Sequence, residues 1–499
     1  MGIGLKKSKN KIITMKNSIL KSLMVPLALA AAGNPVHSQG KMNVLFISVD
    51  DMNNDLGCFG SPLVKSPNID RLASKGVAFA NAYCQFPLCS PSRSSLLTGL
   101  RPDSTRVFDL QYHFRQGLPD VVTLPQMFIK NGYYVARVGK MFHYGNPGDI
   151  GTNGLDDKVS WMERINPAGL DKTSLELDII NYTPKKGLGS SMAYLSDKAG
   201  KDEEHTDGHV ATEAIKLMEK HKDKPFFIAA GFYKPHTPWI TPSKYFDMYK
   251  LNEISLPEIS KETPNDYPEQ ALASTKPWPY FGINTDQARE CKLAYFAAIS
   301  FVDAQIGRLL DAVNSLGLSD NTIIVFWSDH GYQLGEHGLW FKQSLFEEAS
   351  KSPLIISVPG VKSAGKICHR TVELVDIYPT LAELTDLTPP ANLQGYSLLS
   401  LLQDPEAKWK HPAFTQVQRG NIPGHSVRTE GWRYTEWDYG KIGVELYDEL
   451  TDPQEQHNLA VNSKYANMAI KMKALLQKDH PKPVTGGQAV ADTKNKYSN

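Results

Sequence analysis

Along this chain, unbroken apolar runs alternate with stretches in which apolar residues recur at helical spacing. The first run, Met42 to Val49, reads as a strand buried on both faces of a parallel sheet. Runs of the same kind occupy Tyr133 to Val138, Pro225 to Ala230, Thr322 to Trp327 and Pro353 to Val358. Between them the spacing becomes helical. A helix opens at Asn68-Ile69-Asp70-Arg71-Leu72-Ala73 and Gly76 closes it. Others cover His209 to His221, Ala288 to Leu316 and Val372 to Leu384. In the longest, Leu293, Phe296, Ile299, Val302 and Ile306 share one face. Strands alternating with helices predict an α/β fold, a mostly parallel sheet sandwiched by helices. The polar, glycine-bearing stretch from Gly145 to about Asp207 reads as an irregular insertion, and Pro257 to Pro279 as a loop.

After about Pro405 the pattern changes. Short strands are expected at Ala413 to Val417, Ser426 to Arg428, Trp432 to Trp437 and Glu445 to Tyr447, followed by a helix from about Ser463 to Gln477. This predicts a large domain over 39–405, a smaller antiparallel α+β subdomain over 406–485 and a flexible tail over 486–499. No internal repeat is visible.

In open parallel sheets, ligands bind beyond the carboxyl ends of the strands. Asp50-Asp51, Lys140, His236 and Asp329-His330 each follow a predicted strand, so distant segments converge on one edge. Adjacent carboxylates repel and call for a cation. Asp50, Asp51, Asp329 and His330 form the expected metal set. Three carboxylates with one further ligand suit a hard divalent ion, Ca²⁺ ahead of Mg²⁺. The imidazole leans toward transition metals. Taken alone, Asp50-Asp51 also fits the cap of a turn.

The chain has 499 residues, enough for a large domain with a smaller partner, and a formal net charge of +1. A near-neutral chain has no electrostatic footprint for nucleic acid. Five cysteines, Cys58, Cys84, Cys89, Cys291 and Cys368, do not make a disulfide framework. The N-terminus reads as a cleaved secretory signal over 1–38. Lys16 and Lys21 precede or interrupt the start of an apolar run, Leu20 to Ala32, and small residues stand near Ser38. That run is shorter than the roughly 20 residues a membrane helix needs. The expected location is secreted or periplasmic, with no membrane association once the signal is removed.

The stretch Cys89-Ser90-Pro91-Ser92-Arg93 runs into Ser94-Ser95-Leu96-Leu97-Thr98-Gly99. Pro91 suits the first turn of a helix. Cys89 is then expected just before a helix N-terminus, where the dipole lowers a thiol's pKa and favours an oxyanion. Arg93, one turn on, is placed to reach back to the same point. The pentapeptide by itself also fits a cysteine that merely caps a helix.

This run resembles the signature of the formylglycine-dependent sulfatases. The resemblance implies an alkaline-phosphatase-like fold and oxidation of Cys89 to an aldehyde by a transient maturation enzyme. The aldehyde hydrate would be the nucleophile, through a covalent sulfate hemiacetal, and Cys89 would join the metal set. A serine ester would be as inert as the substrate, whereas the hydrate's second hydroxyl can expel sulfate. Gly139, Lys140 and His143 fit a second sulfatase signature, although Val135 stands where a hydroxyl residue is usual. Arg93, Lys140 and Lys342 are the implied cations for the sulfuryl charge. His143 is implied to work on the hydrate and His236 to protonate the leaving oxygen.

Three further stretches are similar to the iduronate-2-sulfatase branch: Val138 to His143, Tyr233 to Pro238, and Ser328 to Lys342. The likeness extends through Pro353 to Gly360 and Val375 to Leu381. His330 replaces the asparagine of the commoner sulfatase pattern, which this branch also does. The implied substrate is a sulfated oligosaccharide, a glycosaminoglycan fragment of heparin/heparan or chondroitin/dermatan type. The implied reaction removes the 2-O-sulfate of its terminal uronic acid. Other sugar sulfates, or phosphonate and phosphate monoesters, are the alternatives on the same scaffold. A uronate carboxylate needs a base, for which Lys234 is the candidate. Tyr332 and Trp340 are candidates for lining the sugar pocket, with core packing as the other reading.

Overall fold

A computed structural model describes residues 41–173, 178–259 and 267–479. The expected signal over 1–38, the tail over 486–499 and the last residues of the predicted subdomain lie outside the described residues.

Eight strands form the central sheet. Their order is Lys366–Glu373, Val77–Tyr83, Leu354–Ser357, Thr322–Ser328, Asn43–Asp50, Phe226–Pro235, Tyr134–Gly139 and Glu163–Ile165. Every pairing is parallel except those of Leu354–Ser357, which runs antiparallel to both neighbours. The strand Asn43–Asp50 shows why its sequence is apolar throughout, since both of its faces are covered. Leu45, Ile47 and Val49 pack with the helices Pro67–Lys75, Thr206–His221 and Thr285–Ser315. Val44 and Phe46 pack on the other side, with Cys89–Thr98, Leu124–Lys130 and Ile377–Leu384. All eight of its residues are buried. The mostly parallel sheet between two helical layers is the predicted one.

Four local expectations need correction. The segment from Val372 is not helical at its start. Lys366–Glu373 is a strand paired with Val77–Tyr83, and the helix begins only at Ile377. The apolar content of 372–384 suits either element, and only the pairing decides. The insertion over 145–207 carries order of its own. Glu163–Ile165 extends the main sheet, and Ala193–Asp197 lies in a small sheet between Ile180–Asn181 and Trp239–Pro242. The proline-rich loop contains the helical turn Glu269–Leu272. The long helix begins at Thr285, where Asn284 accepts a hydrogen bond from the Gln287 N–H at 2.9 Å and Gln287 returns it. Among the described helices it is the one long and apolar enough to cross a membrane, and most of it is buried within the fold.

The boundary predicted near 405 falls between Leu399–Gln403 and the strand Ala413–Arg419. Beyond it, Ala413–Arg419, Ile422–Arg428, Trp432–Trp437 and Gly443–Asp448 make a four-stranded antiparallel sheet in sequence order. One face, with Phe414, Val427, Tyr434 and Leu446, holds Met472 and Leu476 of the helix Ala466–Asp479. The other face presents Val417, Trp437 and Tyr447 to Phe86, Leu88, Leu345 and Phe346. Those four residues flank the two segments that carry Cys89 and Lys342.

Candidate active site

Parallel register brings the polar residues together. Ser48 lies opposite Gly231 on one side and Trp327 on the other, and Gly231 lies opposite Gly139. The carboxyl ends of four adjacent strands are therefore level. Asp50-Asp51, His236, Lys140 and Asp329-His330 leave from that level edge, as predicted from their positions after strands. The tight approach of two strand ends needs glycine: a Cβ on Gly139 would stand 2.2 Å from Gly231 O, and one on Gly231 would stand 1.9 Å from Lys140 O.

Cys89 is the first residue of the helix Cys89–Thr98 rather than the residue before it, and Leu88 is the cap. Its Sγ lies 3.5 Å from His330 Nε2, 3.6 Å from Lys342 Nζ and 3.8 Å from Asp51 Oδ1. The expectation of an acidic thiol is not met. Burial, with Asp50 nearby, pushes the Cys89 thiol well above its usual range. Desolvation and a carboxylate outweigh one helix terminus.

The carboxylates are dry and each faces bases. Lys140 Nζ is 2.5 Å from Asp50 Oδ2, and Lys342 Nζ is 2.5 Å and 2.7 Å from the two oxygens of Asp51. Arg93 Nε is 2.9 Å from Asp329 Oδ2 and its Nη2 is 3.2 Å from Asp50 Oδ1. Its other donors go to Val49 O, Lys140 O, Met141 O and Ser48 Oγ. Arg93 is thus spent on fixing the metal set and the strand ends, and does not reach back toward an anion at Cys89. Burial alone would raise Asp50, but Lys140, His236, Arg93 and Lys342 hold it well below the usual carboxylate range. Burial raises Asp51 in spite of Lys342 and His330.

The two strand-end histidines have their tautomers set by backbone carbonyls. His330 Nδ1 donates to Gly331 O at 2.8 Å, so its Nε2 lone pair faces Asp51 Oδ1 at 3.3 Å and Asp329 Oδ2 at 3.6 Å. Apart from the Cys89 thiol 3.5 Å away, that lone pair faces carboxylate oxygens, an arrangement a cation would satisfy. Asp51, Cys89, Asp329 and His330 offer ligand atoms within 4.8 Å of one another, as do Asp50, Asp51, Cys89 and His236. These residues fit a divalent cation, with hard oxygens predominating and one second-layer contact fixing the imidazole. Three carboxylates balance Arg93, Lys140 and Lys342, so a bound dication would leave the site positive.

His236 Nδ1 donates to Thr237 O at 2.5 Å, and its Nε2 stands 3.7 Å from Asp51 Oδ2. Burial and Lys342 hold this imidazole well below its usual pKa. Burial and Lys140 do the same to His143, whose Nδ1 has no partner among the described residues. His143 also lines a cavity of about 780 Å³ with Gln111, Asp149, Asn153 and Asn166.

The three candidate substrate residues are placed otherwise. Lys234 is 2 % exposed and its Nζ donates to Pro238 O at 2.7 Å, so it offers nothing to a carboxylate. Tyr332 and Trp340 are fully buried; Tyr332 stacks on Tyr295 at 4.9 Å between ring centres. Both are core residues beneath the site.

Several supporting residues escaped the sequence reading. Tyr295 donates to Asp51 O at 2.7 Å and accepts the Asn53 N–H at 2.9 Å. Ser328 Oγ accepts the Met52 N–H and donates to His330 O. Ser92 donates to Asp329 O. Asp207 accepts the N–H groups of Tyr233 and Lys234, which pins the strand that leads to His236. Asp207 and Ser92 sit near helix N-termini, the only local sign of a role; the others have none.

Residues 42–387 match the family described as sulfatase, and residues 335–482 match the one described as N-sulphoglucosamine sulphohydrolase, C-terminal. A sulfatase of Formosa agariphila is 35 % identical over 453 residues, covering 88 % of this chain and 87 % of that one. The iduronate 2-sulfatase of Mus musculus is 33 % identical, covering 90 % and 96 %. The phosphonate monoester hydrolase of Agrobacterium radiobacter has the same fold, with a TM-score of 0.74 at 23 % identity over 88 % and 96 % of the two chains.

Proposed function

The chain belongs to the sulfatase family and is a sulfuric ester hydrolase; on that premise we propose that its ester is the 2-O-sulfate of a terminal uronic acid on a glycosaminoglycan fragment. The observation that carries the hydrolytic part of this reading is the placement of Cys89 Sγ within 4 Å of Asp51, His330 and Lys342. It is supported by the likeness to an iduronate 2-sulfatase over nine-tenths of the chain. The protein acts outside the cytoplasm, secreted or periplasmic.

Cys89 is converted to formylglycine, which supplies a hydrated aldehyde as nucleophile. Asp50, Asp51, Asp329 and His330 would hold a dication, Ca²⁺ ahead of Mg²⁺, which would supply Lewis-acid polarisation of the ester. Arg93 keeps Asp50 and Asp329 in place. Lys140 and Lys342 face the charge that builds on the sulfuryl group, in a dry pocket where a fixed cation is most effective. His143, held neutral by burial, accepts a proton at an imidazole nitrogen. His236 presents Nε2 to the leaving oxygen, because Nδ1 is committed to Thr237 O. An anionic ester beside that imidazole favours its protonation, which readies it as the acid.

The test is a panel of sulfated disaccharides offered to protein made with a maturation enzyme. The 2-O-sulfated uronate is expected to be the fastest. Preference for 6-O- or N-sulfated glucosamine, or for an aryl phosphonate over the corresponding aryl sulfate, would refute the proposal.

A further inference from the structure

Among the described residues, Lys186 carries an ammonium without an anionic partner. Its Nζ stands 3.1 Å from the centre of the Phe281 ring. Phe281 packs on Phe341 with ring centres 5.1 Å apart, and Phe341 directly precedes Lys342. The far end of the same loop is tied to the opposite wall. Thr237 donates to Ser191 O at 2.6 Å, and Ser191 donates to Lys186 O at 2.9 Å and to Gly187 O at 3.0 Å. Within this turn a Cβ on Gly189 would stand 3.8 Å from His236 Cε1. The loop therefore runs from the His236 wall to the Lys342 wall, with Lys186 on the second.

Three other lysines of this region are committed. Lys140 holds Asp50, Lys342 holds Asp51, and Lys234 donates to a backbone carbonyl. Lys186 is half-buried, and among the described residues no charged group offsets its desolvation. Such a group is costly unless something outside the protein pairs with it. The Asn146 side chain is a second uncommitted group here. It is 7 % exposed, both of its polar atoms lack partners among the described residues, and its backbone carbonyl abuts Gly189.

We propose that Lys186, with the Asn146 amide, binds the carboxylate of the uronic acid whose sulfate this site removes. The assignment rests on the uronate reading above. It replaces Lys234, whose ammonium is turned into the protein. The carboxylate and the sulfate belong to one sugar, so its base must border the nucleophile, as this loop does through His236. A neutral sugar sulfate would leave the ammonium unpaired.

The test compares a disaccharide ending in an unsaturated 2-O-sulfated uronate with the same disaccharide as its carboxyl methyl ester. Wild type is expected to favour the acid over the ester about 10- to 100-fold in kcat/KM, the range for a charge-assisted hydrogen bond. In K186M, which keeps the aliphatic stem over Phe281, that ratio is expected to fall to within about threefold, mainly through KM for the acid. K186R, which keeps the charge, is expected to retain most of the ratio. Turnover of 4-nitrophenyl sulfate by each variant certifies an assembled site. A wild type that favours the acid while K186M keeps the full ratio overturns the role of Lys186 and leaves the uronate reading standing. A wild type indifferent to esterification, or faster on sulfated glucosamine, overturns the uronate reading itself.

Discussion

Lys342 Nζ lies 2.5 Å from Asp51 Oδ1, although 291 positions separate the two residues. The pair also brackets Cys89, since both reach its sulfur. Removing Lys342 leaves Asp51 buried without its nearest base. Lys342→Ala is expected to lower kcat/KM by ~10²–10³-fold, the loss typical of deleting a preorganised partner of transition-state charge. Steady-state kinetics on a 2-O-sulfated disaccharide check this, with circular dichroism to confirm folding. Activity within about threefold of wild type would remove Lys342 from the machinery.

Cys89 is the proposed nucleophile precursor. Cys89→Ala is expected to be inert at every substrate concentration. In active protein, the mass of the peptide carrying residue 89 is expected to show the thiol and one hydrogen replaced by a carbonyl oxygen. Full activity in protein whose peptide retains the thiol would refute the conversion.

Chelation tests the donor set. The buried carboxylates of Asp50, Asp51 and Asp329, the last two beside His330 Nε2, are expected to lose stability as well as activity when a dication is stripped. The melting temperature is the independent readout. A ligand present at a hundredfold excess over its Kd contributes ~2.7 kcal/mol, several degrees of Tm. Ca²⁺ is expected to restore both properties better than Mg²⁺. An unchanged Tm and unchanged turnover after exhaustive chelation would contradict a metal at these residues.

The pH profile reports on Lys186. Burial draws its ammonium down to about 8. The charged form binds a carboxylate, so KM for the uronate substrate is expected to be flat below that value and to climb as pH rises through it. KM for 4-nitrophenyl sulfate, which has no carboxylate, lacks this step. A climb of equal size for both substrates would place the titration elsewhere.

The antiparallel sheet near the C-terminus is wired into the same edge. Arg433 ion-pairs with Glu347, Glu449 and Glu455, and Arg428 Nε also reaches Glu347 at 3.2 Å. Arg433 is 1 % exposed. Arg433→Met is expected to cost about 3–5 kcal/mol, because it removes the ion-pair partner of buried Glu455 and one of the partners of Glu347 and Glu449. Denaturant unfolding measures this. A cost below about 1 kcal/mol would show that the network holds nothing in place.

The parallel core and the level edge were legible because both depend on local pattern. A fully covered strand must be apolar, and a site at its carboxyl end must begin where the apolar run stops. Asp50, Lys140, His236 and Asp329 were visible for that reason. The edge strand Lys366–Glu373 was not, because its identity depends on the partner Val77–Tyr83 far away in sequence. The fate of Lys234 and Lys186 could not be read either. Both look like solvated lysines in sequence, and only tertiary contacts show that one is turned into a carbonyl and the other left unpaired. The thiol of Cys89 was misjudged because a helix terminus is local and visible, whereas desolvation depends on the whole fold.

Glu347 belongs to the segment that delivers Lys342, and it is clamped by arginines from the last sheet. Residue 89 is synthesised before residues 428 and 433, so the clamp on Glu347 is expected to form only after they follow. In the folded chain Cys89 is 1 % exposed, so the proposed maturation enzyme is expected to act before the fold closes. The modification proposed for position 89 is therefore expected to precede the folding of the carboxyl-terminal strands.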